Sequence, residues 1–295
     1  MLLTIFTPTY NRANLLPKLF ESIRRQTGFT DFEWLIIDDG STDGTEAMVA
    51  EWQSTQLNFA LRYVKQPNGG KHRAMNRAAQ LAEGEWFLCV DSDDLLASDT
   101  AVDQLAPMLQ ELTPKAEFCS LTPLRITPAG EIIGTKNLPA QLDTDFFTYR
   151  MKMHVKGDRA EVMRTSTLRQ YPFPEFEGEK FLSEGCLMTK MAERYVTRFV
   201  TLPMVICEYL PGGLTDNIKR LMRENPLGVM YNCRTYFTHQ GAPLLLRVQK
   251  MWQHSRAERI ALANGTPIPE ICQATPAMRR MGRYLLPLIR LVKRG

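Results

Sequence analysis

Four short apolar runs, Leu2–Thr7, Glu33–Asp38, Phe59–Val64 and Glu85–Val90, alternate with three segments of helical spacing: Leu15–Gln26, Thr45–Gln53 and Lys71–Glu83. This alternation constrains the fold more than any other feature of the chain. The runs start 26 to 31 residues apart, the length of successive βαβ units. Strands so apolar along their length are covered on both faces, as in a mostly parallel sheet. The expected class is therefore α/β, a Rossmann-like, mixed, mostly parallel sheet with helices on both faces. No G-x-G-x-x-G follows any of the runs, so the dinucleotide-binding fingerprint of a dehydrogenase is missing.

From about residue 100 the pattern loosens. A helix near Asp99–Leu112 and a strand near Glu117–Leu121 precede a stretch punctuated by proline and glycine, Thr122–Pro139. A helix is expected over Glu184–Tyr195, then an apolar segment, Val200–Tyr209, and a glycine loop at Gly212-Gly213. Residues 216–295 read as helices broken by prolines. The expected organisation is a ligand-binding part over 1–100, a second part over 101–215 and a helical C-terminal extension over 216–295.

In open α/β sheets, ligands bind beyond the carboxyl ends of the strands. Three of the four runs end there in polar clusters: Thr7-Pro8-Thr9-Tyr10-Asn11-Arg12, Asp38-Asp39-Gly40-Ser41-Thr42-Asp43-Gly44 and Asp91-Ser92-Asp93-Asp94. A parallel sheet brings all three to one edge. Three carboxylates within four residues repel one another. A divalent cation would neutralise them, and oxygen-only ligands favour Mg²⁺ or Mn²⁺ shared with substrate phosphates. Capping a turn or helix accounts for one such aspartate but poorly for three. Asp38-Asp39-Gly40-Ser41 reads equally as an ordinary turn or as a carboxylate placed to accept the ring N–H of uracil, thymine or guanine. Asn68-Gly69-Gly70-Lys71 opens the third helical segment, where backbone amides and Lys71 suit an anion, although a plain glycine turn fits nearly as well.

Taken in order, Pro-Thr-Tyr-Asn-Arg, Ile-Asp-Asp-Gly-Ser-Thr-Asp, Asn-Gly-Gly-Lys and Gly-Glu-Trp-Phe before Asp-Ser-Asp-Asp resemble the family 2 glycosyltransferases with the GT-A fold. The resemblance runs through the first hundred residues. It implies a GT-A-like domain that transfers a sugar from a nucleotide sugar to an acceptor hydroxyl, with inversion, in polysaccharide or glycolipid assembly. A UDP-sugar is the favoured donor, and a saccharide or lipid-linked saccharide the acceptor. By the same resemblance Asp39, with Asp38 beside it, contacts the base in a pocket lined by Thr9 and Tyr10. Lys71 lies near the nucleotide, Asp91 serves the diphosphate, and Asp93 and Asp94 hold the metal. Inverting members carry a general base at an acidic pair heading a helix. Here Ser183-Glu184-Gly185-Cys186-Leu187-Met188-Thr189-Lys190 has that layout with Glu184 in the aspartate's place, and Glu179 is its competitor. A first-turn acid complementing the helix dipole is the plain alternative. Tyr209-x-x-Gly212-Gly213-Leu214-Thr215 resembles a segment of relatives that build bacterial surface polysaccharides.

Two other readings fit part of the pattern: a nucleotidyltransferase, which also pairs carboxylates with Mg²⁺ on an α/β sheet, and a nucleotide-sugar-binding protein with a decayed site. The first would show a glycine- and base-rich loop after the first strand, where this chain has Tyr10-Asn11-Arg12.

The N-terminus lacks the basic start and long apolar stretch of a signal peptide, and no stretch reaches the roughly eighteen apolar residues of a membrane span. Six scattered cysteines without a C-x-x-C pair fit reduced thiols, so a cytoplasmic location is expected. Charge is unevenly distributed. Residues 1–240 hold 26 Lys and Arg against 30 Asp and Glu, whereas residues 241–295 hold 10 against 2. On a helix, Arg279, Arg280, Arg283, Arg290, Lys293 and Arg294 share one face opposite Met281, Leu285, Leu288, Ile289, Leu291 and Val292, with Pro287 as a kink. Such a face suits peripheral attachment of residues 277–295 to an anionic inner leaflet. Nucleic acid is not expected, since Tyr284 is the one aromatic among these arginines.

Overall fold

The computed structural model describes residues 1–207 and 214–282. The chain divides into two compact units, one of residues 1–172 and 194–209, the other of residues 173–193 and 210–295.

In the first unit the four apolar runs become β1 (Leu3–Thr9), β2 (Phe32–Asp38), β3 (Ala60–Lys65) and β4 (Trp86–Cys89). Between them lie α1 (Leu16–Arg24), α2 (Thr45–Gln53) and α3 (Lys71–Leu81). The pairs β1–β2, β2–β3 and β1–β4 are parallel. The rest of the unit adds β5 (Leu95–Leu96), α4 (Ala101–Leu112), β6 (Phe118–Ile126), β7 (Gln141–Thr144), β8 (Val162–Arg164), α5 (Thr165–Gln170) and β9 (Val196–Ile206). The strand order is β3-β2-β1-β4-β8-β6-β9-β5, with β7 on β9. Strands β4–β8, β6–β8, β5–β9 and β7–β9 pair antiparallel and β6–β9 parallel, so the sheet is mixed as expected.

Burial explains the runs that become β1, β2 and β4, whereas β3, at the sheet edge, has no buried residue and departs from the expectation of cover on both faces. Every residue of β2 is buried, and Trp34 and Trp86 are fully enclosed with their indole N–H groups donating to Thr7 and Thr113 hydroxyls at 2.9 and 3.0 Å. Glu33, with Asp38 at the strand's end, departs from the apolar pattern on β2. It is fully buried and accepts from Arg62, the Thr4 hydroxyl and the Glu83 amide, each at 2.7 Å, so its charge is compensated.

The expected boundary near residue 100 is not where the chain divides. β8 pairs with β4 and β6 with β8, which extends the same sheet past it. Instead, residues 173–193 leave this unit and join the second one. There α6 (Gly185–Met191), shorter than the expected helix, is followed by α7 (Leu214–Glu224), α8 (Pro226–Thr238) and α9 (Leu244–Ala263). The C-terminal part is helical as expected. α8 packs on α9 and α6, and Phe237, Met251 and Met278 form a buried cluster. No helix among the described residues is long and apolar enough to cross a membrane. Tyr209, Gly212 and Gly213, together with residues 283–295 of the basic tail, lie outside the described residues.

Candidate active site

The parallel register aligns the ends of β1, β2 and β4. Thr9 pairs with Asp38, and Phe6 with Cys89. Their trailing loops therefore share one rim of the first unit and are tied to one another. The Asn11 amide donates to the Ser41 hydroxyl at 2.9 Å, and the Asn11 side chain accepts from the Thr42 amide at 2.8 Å. Asn11 is held in the left-handed region, φ 51°, a conformation Asn tolerates better than most residues. Thr9 is buried and Tyr10 exposed.

The two neighbouring aspartates have different surroundings. Asp38 is fully buried, accepting the Ser41 amide at 2.7 Å and the Tyr63 hydroxyl. It closes the turn from the interior. Asp39 accepts the amides of Gly69 and Gly70 at 2.9 and 2.7 Å and the Gln66 side chain at 2.8 Å. It thereby fixes the glycine loop at the start of α3, where Gly70 has φ 92°, a conformation that favours glycine.

Lys71 follows that loop, and its ammonium lies 2.6 Å from Asp91. Arg12 pairs with Asp93 at 3.0 Å, and Arg125 with Asp94 at 2.6 Å. Each carboxylate of the acidic turn thus faces a protein cation, so part of the neutralisation expected from a divalent ion is supplied by the chain itself. Burial alone would raise Asp91, but Lys71 and Arg125 hold its carboxyl below the usual range. Burial pushes Asp94 up to about 6 against the pull of Arg125. Arg125, at the end of β6, belongs to none of the motifs. Its only trace in the sequence is a basic residue inside an apolar run.

Among the described residues no three acidic, histidine or cysteine side chains converge into a metal cage. The donor set still suits a metal of the Mg²⁺ class, which usually takes one or two carboxylates and completes its shell with water and substrate phosphates. Asp93, with its side chain 28% exposed, is open to such sharing, whereas Asp94, at 8%, is largely enclosed.

In the second unit, Glu184 is half-buried at the head of α6. Its competitor has another task. Glu179 is buried, and its two oxygens accept the Leu227 and Gly228 amides at 2.6 and 2.8 Å, the open N–H groups at the start of α8. Asn225 completes this junction by accepting the Lys180 and Phe181 amides at 2.7 and 3.0 Å.

Residues 4–126 match the family model described as glycosyl transferase family 2. An uncharacterized glycosyltransferase of Mycoplasma pneumoniae, the MG025 homolog, is 32% identical over 127 residues, 42% of this chain and 42% of that protein. The poly(ribitol-phosphate) beta-N-acetylglucosaminyltransferase TarS of Staphylococcus aureus is 35% identical over 107 residues, 36% of this chain and 18% of TarS. The matched stretch is thus less than half of either relative. In three dimensions, TarS 1–349 in complex with UDP-GlcNAc covers 89% of this chain and 83% of that one, at TM-score 0.59 and 18% identity. The mannosyltransferase PcManGT of Pyrobaculum calidifontis, in complex with GDP-Man and Mn²⁺, covers 97% and 79%, at TM-score 0.55 and 20% identity. The fold is accordingly GT-A-like.

Proposed function

We propose that this chain, which matches the glycosyl transferase family 2 model over residues 4–126, transfers a sugar from a nucleoside-diphosphate sugar to an acceptor hydroxyl in polysaccharide or glycolipid assembly. The observation that carries this reading is the meeting of three strand-end loops at one rim. There Asp39 orders the glycine loop, Lys71 reaches Asp91, and Asp93 stands at the surface. Thr9, Tyr10 and Asp39 line the place of the base, and Arg12, Lys71 and the amides of the glycine loop offer positive charge to a diphosphate. That TarS was seen with UDP-GlcNAc and PcManGT with GDP-Man supports a nucleoside diphosphate; a UDP-sugar is our preferred donor.

Asp93, with Asp94 behind it, would hold a Mg²⁺ or Mn²⁺ ion, which when bound supplies charge stabilisation to the departing diphosphate. Glu184 would take the proton from the acceptor hydroxyl as that oxygen attacks the anomeric carbon, in a single displacement with inversion. The engagement of Glu179 by α8 favours Glu184 over its competitor. A positioned base contributes on the order of 10²–10⁴ in rate. Glu184→Gln should therefore lower kcat by about 10²–10⁴ while leaving the donor Kd within about twofold of wild type. Unchanged transfer by this variant would remove Glu184 from the mechanism. The acceptor is proposed as a saccharide or lipid-linked saccharide, reached at an anionic cytoplasmic membrane surface through residues 277–295.

A further inference from the structure

Of the three cations facing the acidic turn, Arg125 is the most enclosed. Its side chain is 13% exposed, against 37% for Arg12 and 27% for Lys71. Its head group is held from several sides. One terminal nitrogen, Nη1, lies 2.6 Å from Asp94 Oδ2 and 3.0 Å from Cys207 Sγ. The other, Nη2, lies 3.9 Å from Asp91 Oδ2, and Nε donates to the Arg159 carbonyl at 3.2 Å. The Asp94 amide donates to the Asp91 carbonyl at 3.0 Å, so the two carboxylates that Arg125 approaches are the two ends of one tight turn.

We infer that Arg125 is the positioning residue of this turn: it fixes Asp94 at 2.6 Å from the protein side, with Asp91 3.9 Å away, so that the part-exposed Asp91 and Asp93 are presented to a diphosphate and its metal. The argument rests on the nucleotide-sugar reading above. Without Arg125, Lys71 and Arg12 would still face Asp91 and Asp93, but the enclosed Asp94 would lose its cation and repel both neighbours, and the turn would open or shift. A guanidinium in this place removes the repulsion while leaving the outer side of the turn clear. Arg12 and Lys71, on more exposed side chains, can exchange a carboxylate for a phosphate; Arg125 is anchored by Arg159 and cannot. Its planar fork serves Asp94 and Arg159 together, and a lysine at this position could not make both bonds.

The test is calorimetry of UDP and of GDP with Mn²⁺, together with thermal unfolding of each ligand-free protein. The proteins are wild type, Arg125→Met, Arg125→Lys and the double variant Arg125→Met with Asp94→Asn. Loss of a residue that supports metal ligands typically costs about 10–100-fold in metal affinity or activity, so Arg125→Met should weaken Mn²⁺-dependent nucleotide binding by roughly that factor. Arg125→Lys should fall between it and wild type. The double variant removes the uncompensated buried carboxylate, so its Tm should recover toward wild type; because it also lacks Asp94, it serves as the stability control and its binding does not decide the case. Wild-type binding by Arg125→Met would reduce Arg125 to a structural ion pair and overturn the inference. If Arg125→Met does not fold, Arg125→Lys decides, and wild-type binding by it contradicts the inference. Failure of the wild-type protein itself to take up nucleotide is a separate result, which defeats the donor-site reading and the role of Arg125 with it.

Discussion

At the scale of single residues, the role of a carboxylate in this chain is set by the groups around it and not by its motif. Asp38 and Asp39 are adjacent in sequence, yet one closes a buried turn and the other holds the glycine loop. The motif layout pointed to Glu184, but the structural task of its competitor Glu179 was not legible in the sequence, because its partners lie 48 and 49 residues further on. Arg125 was invisible for the same reason: its carboxylates come from 31 and 34 positions earlier in the chain, Asp94 and Asp91. The acidic turn itself was legible, since four residues suffice to show it. The structural task assigned to Glu179 has a measurable consequence. Leaving buried amides without an acceptor costs about 1–3 kcal/mol, so Glu179→Ala should destabilise the protein by about that amount in denaturant unfolding. Unchanged stability would mean that these amides find another acceptor.

At the scale of elements, β1, β2 and β4 were legible because each is a run buried along its length, and β3, an edge strand with no buried residue, because helical segments frame its short run on both sides. β5 has two residues and β8 three, too few for any periodicity, and β6 runs through Pro123 into a stretch that its proline and glycine content marked as loop. Farther along the sheet, β7 and β9 are pinned by charge as well as by ladder bonds. Arg198 on β9 binds Asp143 on β7 through two bonds of 2.8 Å and Glu111 on α4 at 2.8 Å. Hydrogen bonds from Lys115 and then Arg198 hold the Glu111 carboxyl down at about 2, below its ordinary 4.5. A carboxylate whose pKa is lower in the folded than in the unfolded chain stabilises the fold above its ordinary value and loses that contribution as pH falls through the folded value. Thermal unfolding between pH 4.5 and 2 should therefore show Tm falling less steeply for Glu111→Gln than for wild type. Because Glu111 is 54% exposed, solvent screens the pair and the difference should be small. Identical slopes would show that the pair contributes nothing to acid sensitivity.

At the scale of the whole molecule, the chain first leaves its first unit inside Tyr171-Pro172-Phe173-Pro174, a turn-rich break in the sequence. What no local signal shows is the return: residues 173–193 belong with α8 and α9 although β9 follows them in the first unit. The excess of positive charge after residue 240 was plain, and it bears on where the protein works. Deleting residues 277–295 should abolish flotation with vesicles rich in anionic lipid while leaving nucleotide binding intact; flotation equal to that of the full chain would remove the membrane proposal. The central claim is that the strand-end loops of the first unit form one nucleotide-sugar site with a metal shared at Asp93. Titration of UDP or GDP into the protein by calorimetry, with and without Mn²⁺, tests this most directly when wild type and Asp93→Ala are compared. The account predicts Mn²⁺-dependent uptake by wild type and its loss, by roughly tenfold or more, in Asp93→Ala. No uptake by wild type with metal supplied, or equal uptake by the variant, would contradict it.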